Sequence, residues 1–146
     1  MLDAYLFTGR VGYIWNKEPL KLLLILILNV IFGYIIGYLL SIANPSLIIV
    51  AQTKVHSWSF NLGYFFKSVF CGMIMYIAVE MFKQKNIFGI LYGIPVFIIS
   101  GFQHCIANAI IYGVANQFFT WPFILCILGN SLGSIICSIL NTKDKE

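Results

Sequence analysis

The 33 residues from Ile87 to Phe119, IFGILYGIPVFIISGFQHCIANAIIYGVANQFF, decide how this chain is read. As a single helix they would run about 50 Å at about 1.5 Å per residue. The hydrocarbon core of a bilayer is about 30 Å thick. The first apolar stretch, Ile87 to Ser100, would be about 21 Å long as a helix, too short to cross. Behind it come Gly101-Phe102-Gln103-His104-Cys105-Ile106-Ala107-Asn108. These place a glycine and three polar side chains near membrane mid-depth. Two half-helices joined by a loop fit the lengths better than one helix. A single tilted helix kinked at Pro95 is the competing arrangement. Irregular backbone is tolerated at that depth only where protein buries it or where it lines a cavity. Broken helices with polar loops at the midplane mark binding sites in transporters.

The rest of the chain makes the bilayer the expected solvent. Of its 146 residues, 60% are hydrophobic and 10% are charged, and the mean hydropathy is +0.91. A soluble domain carries about 25% charged residues, and a chain this short has too much surface for its volume to hide so many apolar side chains. The composition therefore excludes a soluble globular enzyme, a disordered chain, a collagen-like chain and a disulfide-rich secreted module. The net charge is +4, but the nine basic residues are scattered at the edges of apolar blocks. A nucleic-acid partner would need them gathered on one face, so none is expected. Cys71, Cys105, Cys126 and Cys137 lie in apolar surroundings without CxxC spacing. They read as buried small hydrophobes, not as disulfides or metal ligands, and no cofactor is expected.

The expected architecture is an all-α polytopic membrane protein in one domain, with spans at about 20–40, 60–82, 87–119 (broken) and 121–140. Ser46 to Ser59 reads as a loop with a short interfacial element. The first residues lack the basic and apolar regions of a cleavable signal peptide. Four crossings gather Arg10, Lys17, Lys21, Lys83, Lys85, Lys143 and Lys145 on one side and leave Lys54 on the other, with Lys67 inside a span. Positive charge stays inside, so the C-terminal tail is expected to be cytoplasmic and the location the cell (plasma) membrane. Trp15, Trp58 and Trp121 fall at the expected interfaces, as an aromatic belt requires. Glu80 lies one helical turn before Lys83, close enough to pair. The pairs Gly33/Gly37, Gly89/Gly93 and Gly129/Gly133 have the spacing that lets helix backbones approach closely. Leu28-Asn29 followed by Gly33 is faintly echoed by Gly129-Asn130 followed by Gly133.

The octapeptide Gly101–Asn108 resembles the G-F-E-H-S-[IV]-A-N signature of the formate/nitrite transporter family. Leu6-Phe7-Thr8-Gly9 resembles that family's L-F-T-[GS] loop, which breaks its second helix. Lys54-Val55-His56 precedes a span, as a lysine does in the family. Lys67 to Val79 is similar to the fourth helix, and Gly129-Asn130-Ser131-Leu132-Gly133 to the G-N-I-[IV]-G of the sixth. The likeness runs from about residue 5 to residue 140, in order. It implies an aquaporin-like bundle built from an inverted repeat and assembled as a homopentamer. Each protomer would carry small monovalent anions such as formate, nitrite or hydrosulfide, often with a proton. The resemblance begins inside the second helix, so it implies a truncated relative lacking the first one and a half helices.

Carried onto this sequence, His104 would be the central histidine and Thr8 its partner across the pathway. Asn108 would help line the site, beside Phe102 and Gln103. Leu6 and Phe7 would form an apolar constriction, and Lys54 would draw anions into the outer vestibule. Four positions depart from the pattern. Gln103 stands in place of glutamate, Cys105 of serine, Gly72 of asparagine and Glu80 of tryptophan. Histidine suits proton donation because its unperturbed pKa is about 6.5. A neutral imidazole N–H acting with the Thr8 hydroxyl could instead hydrogen-bond the anion without giving up its proton. The function expected is transmembrane transport of a small monovalent anion. The alternative is a truncated or split-gene membrane subunit without transport of its own. A membrane enzyme using His104 as a base ranks last, since no acid or nucleophile stands at a recognisable spacing from it.

Overall fold

The computed structural model describes residues 7–12 and 19–142. Among them are seven helices and no strand: α1 (Phe7–Arg10), α2 (Pro19–Ala43), α3 (Ser46–Ser57), α4 (Leu62–Lys83), α5 (Phe88–Ile99), α6 (Cys105–Ala115) and α7 (Trp121–Thr142). Three of them, α2, α4 and α7, are long and apolar enough to cross a membrane. At about 1.5 Å per residue, α2 with its 25 residues reaches about 37 Å. The 22-residue α4 and α7 reach about 33 Å each. Their bounds lie within three residues of those expected. Between α4 and α7 the chain forms two short helices, α5 with 12 residues and α6 with 11. Neither is long enough to span alone.

Each helix end has a local cause. Asn61 starts α4 by accepting the Tyr64 N–H at 2.8 Å, the usual service of an N-cap side chain. α4, α5 and α6 all end in the paired backbone bonds of a Schellman turn. After α5 the Gly101 N–H reaches the Ile98 carbonyl at 3.1 Å and the Phe102 N–H reaches that of Phe97 at 3.0 Å. Gly101 takes the left-handed conformation this turn needs, with φ +65°, where a side chain would be strained. Asn116 and Lys85 occupy the same position after α6 and α4, with φ 55° and 62°.

Two helix pairs organise the bundle, α2 with α6 and α4 with α7. Each is set by a glycine on both partners. A Cβ on Gly37 would fall on the Ile110 carbonyl of α6, and one on Gly113 on the Tyr34 carbonyl of α2. In the other pair, Gly72 lies against the Asn130 carbonyl and Gly133 against that of Val69. Close approach of this kind is what holds helices together in lipid, where burial of apolar surface offers little between spans. The buried centre is aromatic. Tyr112 is fully enclosed and meets the rings of Trp58, Phe119 and Phe123 edge-on at 5.2–5.5 Å.

Two expectations are corrected. Ser46–Ser57 is a regular helix, not a loop. Its Ala51 and Val55, one turn apart, are buried, and Gln52 donates to the Ala115 carbonyl at 3.1 Å. Packing on α6 overrides the weak local pattern. Trp58, expected to face the membrane interface, is instead packed inside the bundle against Tyr64 and Tyr112. Trp121 is 73% exposed, and Trp15 lies outside the described residues. Glu80 does pair with Lys83, at 3.6 Å, and the four cysteines are free, three of them buried.

The backbone crossings can be tested by filling them. Gly133→Val is expected to cost about 1–3 kcal/mol of stability, seen as a lower unfolding temperature in detergent. Leu132→Val beside it, at an exposed position, is expected to leave that temperature within a degree or two. Equal unfolding temperatures for the two variants would contradict the crossing.

Candidate functional site

His104 ends the non-helical link between α5 and α6 and caps α6. Its backbone is extended, with φ −108° and ψ 119°. Its Nδ1 accepts the Ala107 N–H at 3.2 Å. Its Nε2 faces the Thr8 hydroxyl at 2.8 Å, a contact between residues 96 apart in sequence. Both side chains are buried. An imidazole nitrogen that accepts a backbone N–H carries no proton. The neutral ring therefore holds its proton on Nε2 and donates it to Thr8 Oγ1. The Phe97 ring lies 5.6 Å from the imidazole.

A cavity of ≈ 200 Å³ opens onto His104. It is lined by His104, Gln103, Asn108, Phe102 and Lys54, with Phe97 among the apolar walls. Five of the residues expected from the sequence thus share one cavity. Thr8 joins them through its bond to His104. Phe7 does not: it is buried in the apolar core with Val11, Val55 and Trp58. Leu6 lies outside the described residues.

Asn108 donates to the Tyr64 hydroxyl at 3.0 Å and to Gln103 Oε1 at 3.1 Å. Gln103 in turn donates to the Gly101 carbonyl at 3.2 Å. Lys54 contributes a cation to the cavity lining, and among the described residues no carboxylate lines it. Glu80, the single acidic residue among those described, lines a different cavity with Tyr76, Gln84 and Asn141. The N-terminal end of α6 adds the positive pole of a helix dipole beside His104.

Asparagines on two long helices hold the backbone behind the site. Asn130 on α7 accepts the Cys105 N–H at 2.8 Å. Its amide donates to the carbonyls of Ser68 at 2.8 Å and Gln103 at 2.7 Å. Asn29 on α2 accepts the Phe7 N–H at 3.2 Å. Each asparagine thus caps the first residue of a short helix next to a site side chain, Thr8 in α1 and His104 before α6. Ser134, one turn beyond Asn130, shares its one hydroxyl proton between the carbonyls of Thr8 at 2.5 Å and Gly72 at 3.0 Å.

Sequence reasoning did not single out Asn29, Asn130, Tyr64, Phe97 or Ser134 as site residues. The first two carried a signal, since both stand in the faint echo between the first and last spans. Tyr64, Phe97 and Ser134 look like ordinary residues of apolar helices, and only packing brings them to the site. Among the described residues no cluster of His, Cys, Asp or Glu could hold a metal ion. Compared with protein-family models, curated proteins and solved structures, the chain matches none.

The tautomer is directly measurable. In bilayers containing ¹⁵N-histidine-labelled protein, the neutral His104 ring is expected to show a protonated Nε2 and a bare Nδ1. Thr8→Val is expected to shift the Nε2 signal alone. A proton on Nδ1 would contradict the arrangement.

Proposed function

We propose that this chain forms a transmembrane pathway for a small monovalent anion, with His104 and Thr8 at its centre. The observation that carries the reading is the cavity in which Lys54, Gln103 and Asn108 meet a histidine bonded to Thr8. On this reading α5 and α6 are the halves of one broken crossing in an aquaporin-like bundle. End to end they measure about 34 Å at the helical rise, enough for one passage. The chain is then a multi-pass protein of the plasma membrane with a cytoplasmic C-terminus, and the family resemblance adds a homopentameric assembly.

The chemistry follows from dielectric and donor geometry. A bare anion entering an apolar constriction loses its hydration at high cost. Lys54 raises the local anion concentration at the mouth. Inside, the anion finds polar donors. The Nε2–H of His104 and the Thr8 hydroxyl can turn from one another toward an arriving oxyanion. Hydrogen bonds to a charged acceptor are stronger than those between neutral groups. A water molecule's share of liquid volume is about 30 Å³, so ≈ 200 Å³ accommodates an ion of formate or nitrite size with some water. Proton transfer to the anion would require His104 first to take up a second proton from water, giving up the Ala107 N–H bond at Nδ1. The imidazolium could then protonate the anion, return to the neutral ring and let the neutral acid cross. Flux accompanied by internal acidification would mark that route.

Purified protein in liposomes tests the reading. Formate flux is expected from the wild type, falling about tenfold or more in His104→Ala, where a buried partner is lost. Flux unchanged by that substitution would sink the role of His104. Lys54→Ala is expected to raise the half-saturating formate concentration at low salt, with the difference fading as salt screens the charge. Folded protein that carries no formate, nitrite or hydrosulfide would favour a membrane subunit without transport of its own.

A further inference from the structure

We infer that Asn29 and Asn130 are a matched pair of positioning residues that together set the contact between Thr8 and His104. The inference rests on the reading of that contact as the transport site. The two side chains come from different long helices, α2 and α7, yet each makes the same bond. Asn29 Oδ1 takes the N–H of Phe7, the first residue of α1, and Thr8 follows it. Asn130 Oδ1 takes the N–H of Cys105, the first residue of α6, and His104 precedes it. The site contact is therefore suspended between two asparagine anchors.

The sequence after each anchor has the same design. At four-residue steps Asn29 is followed by Gly33, Gly37 and Ser41, and Asn130 by Ser134 and Ser138. All five are buried. Gly33 and Gly37 let α2 lie close to α6, and Ser134 bonds the Gly72 carbonyl of α4, beside the close crossing at Gly133. The asparagine at the head of each row is thereby held at a fixed depth. An unmet N–H at the start of a short buried helix costs free energy, so each short helix docks where its asparagine waits.

The two anchors are not equally strong. Asn130 makes three backbone bonds at 2.7–2.8 Å, and one of its acceptors is the carbonyl of Gln103, next to His104. It ties the loop before α6 to α4 as well as to α7. Ser134 then ties the Thr8 carbonyl to the same helix at 2.5 Å. Helix α7 thus reaches both halves of the site, and Asn29 steers the Thr8 side from α2. A shift of about 1 Å in a reacting geometry can cost about a hundredfold in rate, so two anchors on separate helices have leverage over the 2.8 Å contact.

The test uses the full chain in liposomes with Asn29→Ala, Asn130→Ala and Thr8→Val, singly and with each asparagine change combined with Thr8→Val. Asn29→Ala is expected to lower the maximal formate flux about tenfold, the scale of one lost buried hydrogen bond, and Asn130→Ala, which loses three backbone bonds, to lower it further. The half-saturating concentration should stay within about twofold, because the anchors do not touch the anion. The His104 Nε2 signal should move toward its position in Thr8→Val. In the Thr8→Val background either asparagine change should cost little more, because residues acting through one contact are not additive. Fully additive losses, or an unmoved Nε2 signal in folded variants, would overturn the inference. Asn29→Ser and Asn130→Ser replace any alanine variant whose helical circular dichroism is lost. If the wild type itself carries no anion, the transport reading fails. The Nε2 signal then decides the positioning role alone.

Discussion

The amide of Asn130 joins three backbone segments that would otherwise have no reason to meet. It takes the first N–H of α6, and it gives its own hydrogens to the carbonyls of Ser68 in α4 and Gln103 before His104. The non-helical link from Ser100 to His104 has no regular hydrogen-bond ladder of its own. Within a bilayer such a segment survives only if protein satisfies it. Asn130 supplies that satisfaction, helped by Cys126, whose thiol donates to the same Gln103 carbonyl at 3.3 Å. No buried side-chain nitrogen or oxygen among the described residues lacks a partner. Removal of the amide would leave several backbone groups unmet at once.

That constraint propagates outward through glycine. Asn130 can reach α4 because Gly72 and Gly133 let α4 and α7 cross almost backbone to backbone. The Gly72 position shows the coupling well. A side chain there would collide with the Asn130 carbonyl itself. The resemblance gives this position an asparagine in the family, so the glycine here marks a local choice of closer packing. On the other side of the bundle Gly37 and Gly113 set the equivalent crossing of α2 and α6. Two close crossings, each with an asparagine on the long helix, frame the Thr8–His104 contact.

The electrostatic design is correspondingly simple. Gln103 replaces the glutamate of the resembling motif, and its side chain links Asn108 to the Gly101 carbonyl. A carboxylate there would have neutralised part of the field of Lys54. With an amide in its place, the cavity keeps a cation, polar donors and a helix N-terminus, all favouring a negative guest. The acidic Glu80 pairs with Lys83 and lines a separate cavity.

The sequence by itself determined three helices long and apolar enough to cross a membrane and a non-helical link near His104, although Cys105–Asn108, expected within the break, belongs to α6. Those follow from hydropathy and length, which depend on the chain's own residues and the thickness of a bilayer. The resemblance to the formate/nitrite transporter family pointed to His104, Thr8, Gln103, Asn108, Phe102 and Lys54; of these only Gln103, His104 and Asn108 also stand out as polar residues in an apolar stretch, where they are costly. Only the tertiary structure decided that Ser46–Ser57 is helical, that Trp58 is buried and that Phe7 packs in the core away from the cavity. Each is settled by a neighbour distant in sequence. The same holds for the 2.8 Å contact across 96 residues and for the asparagines that hold it. Hydrogen bonds between helices leave almost no mark on local sequence, whereas hydrophobic length is written residue by residue.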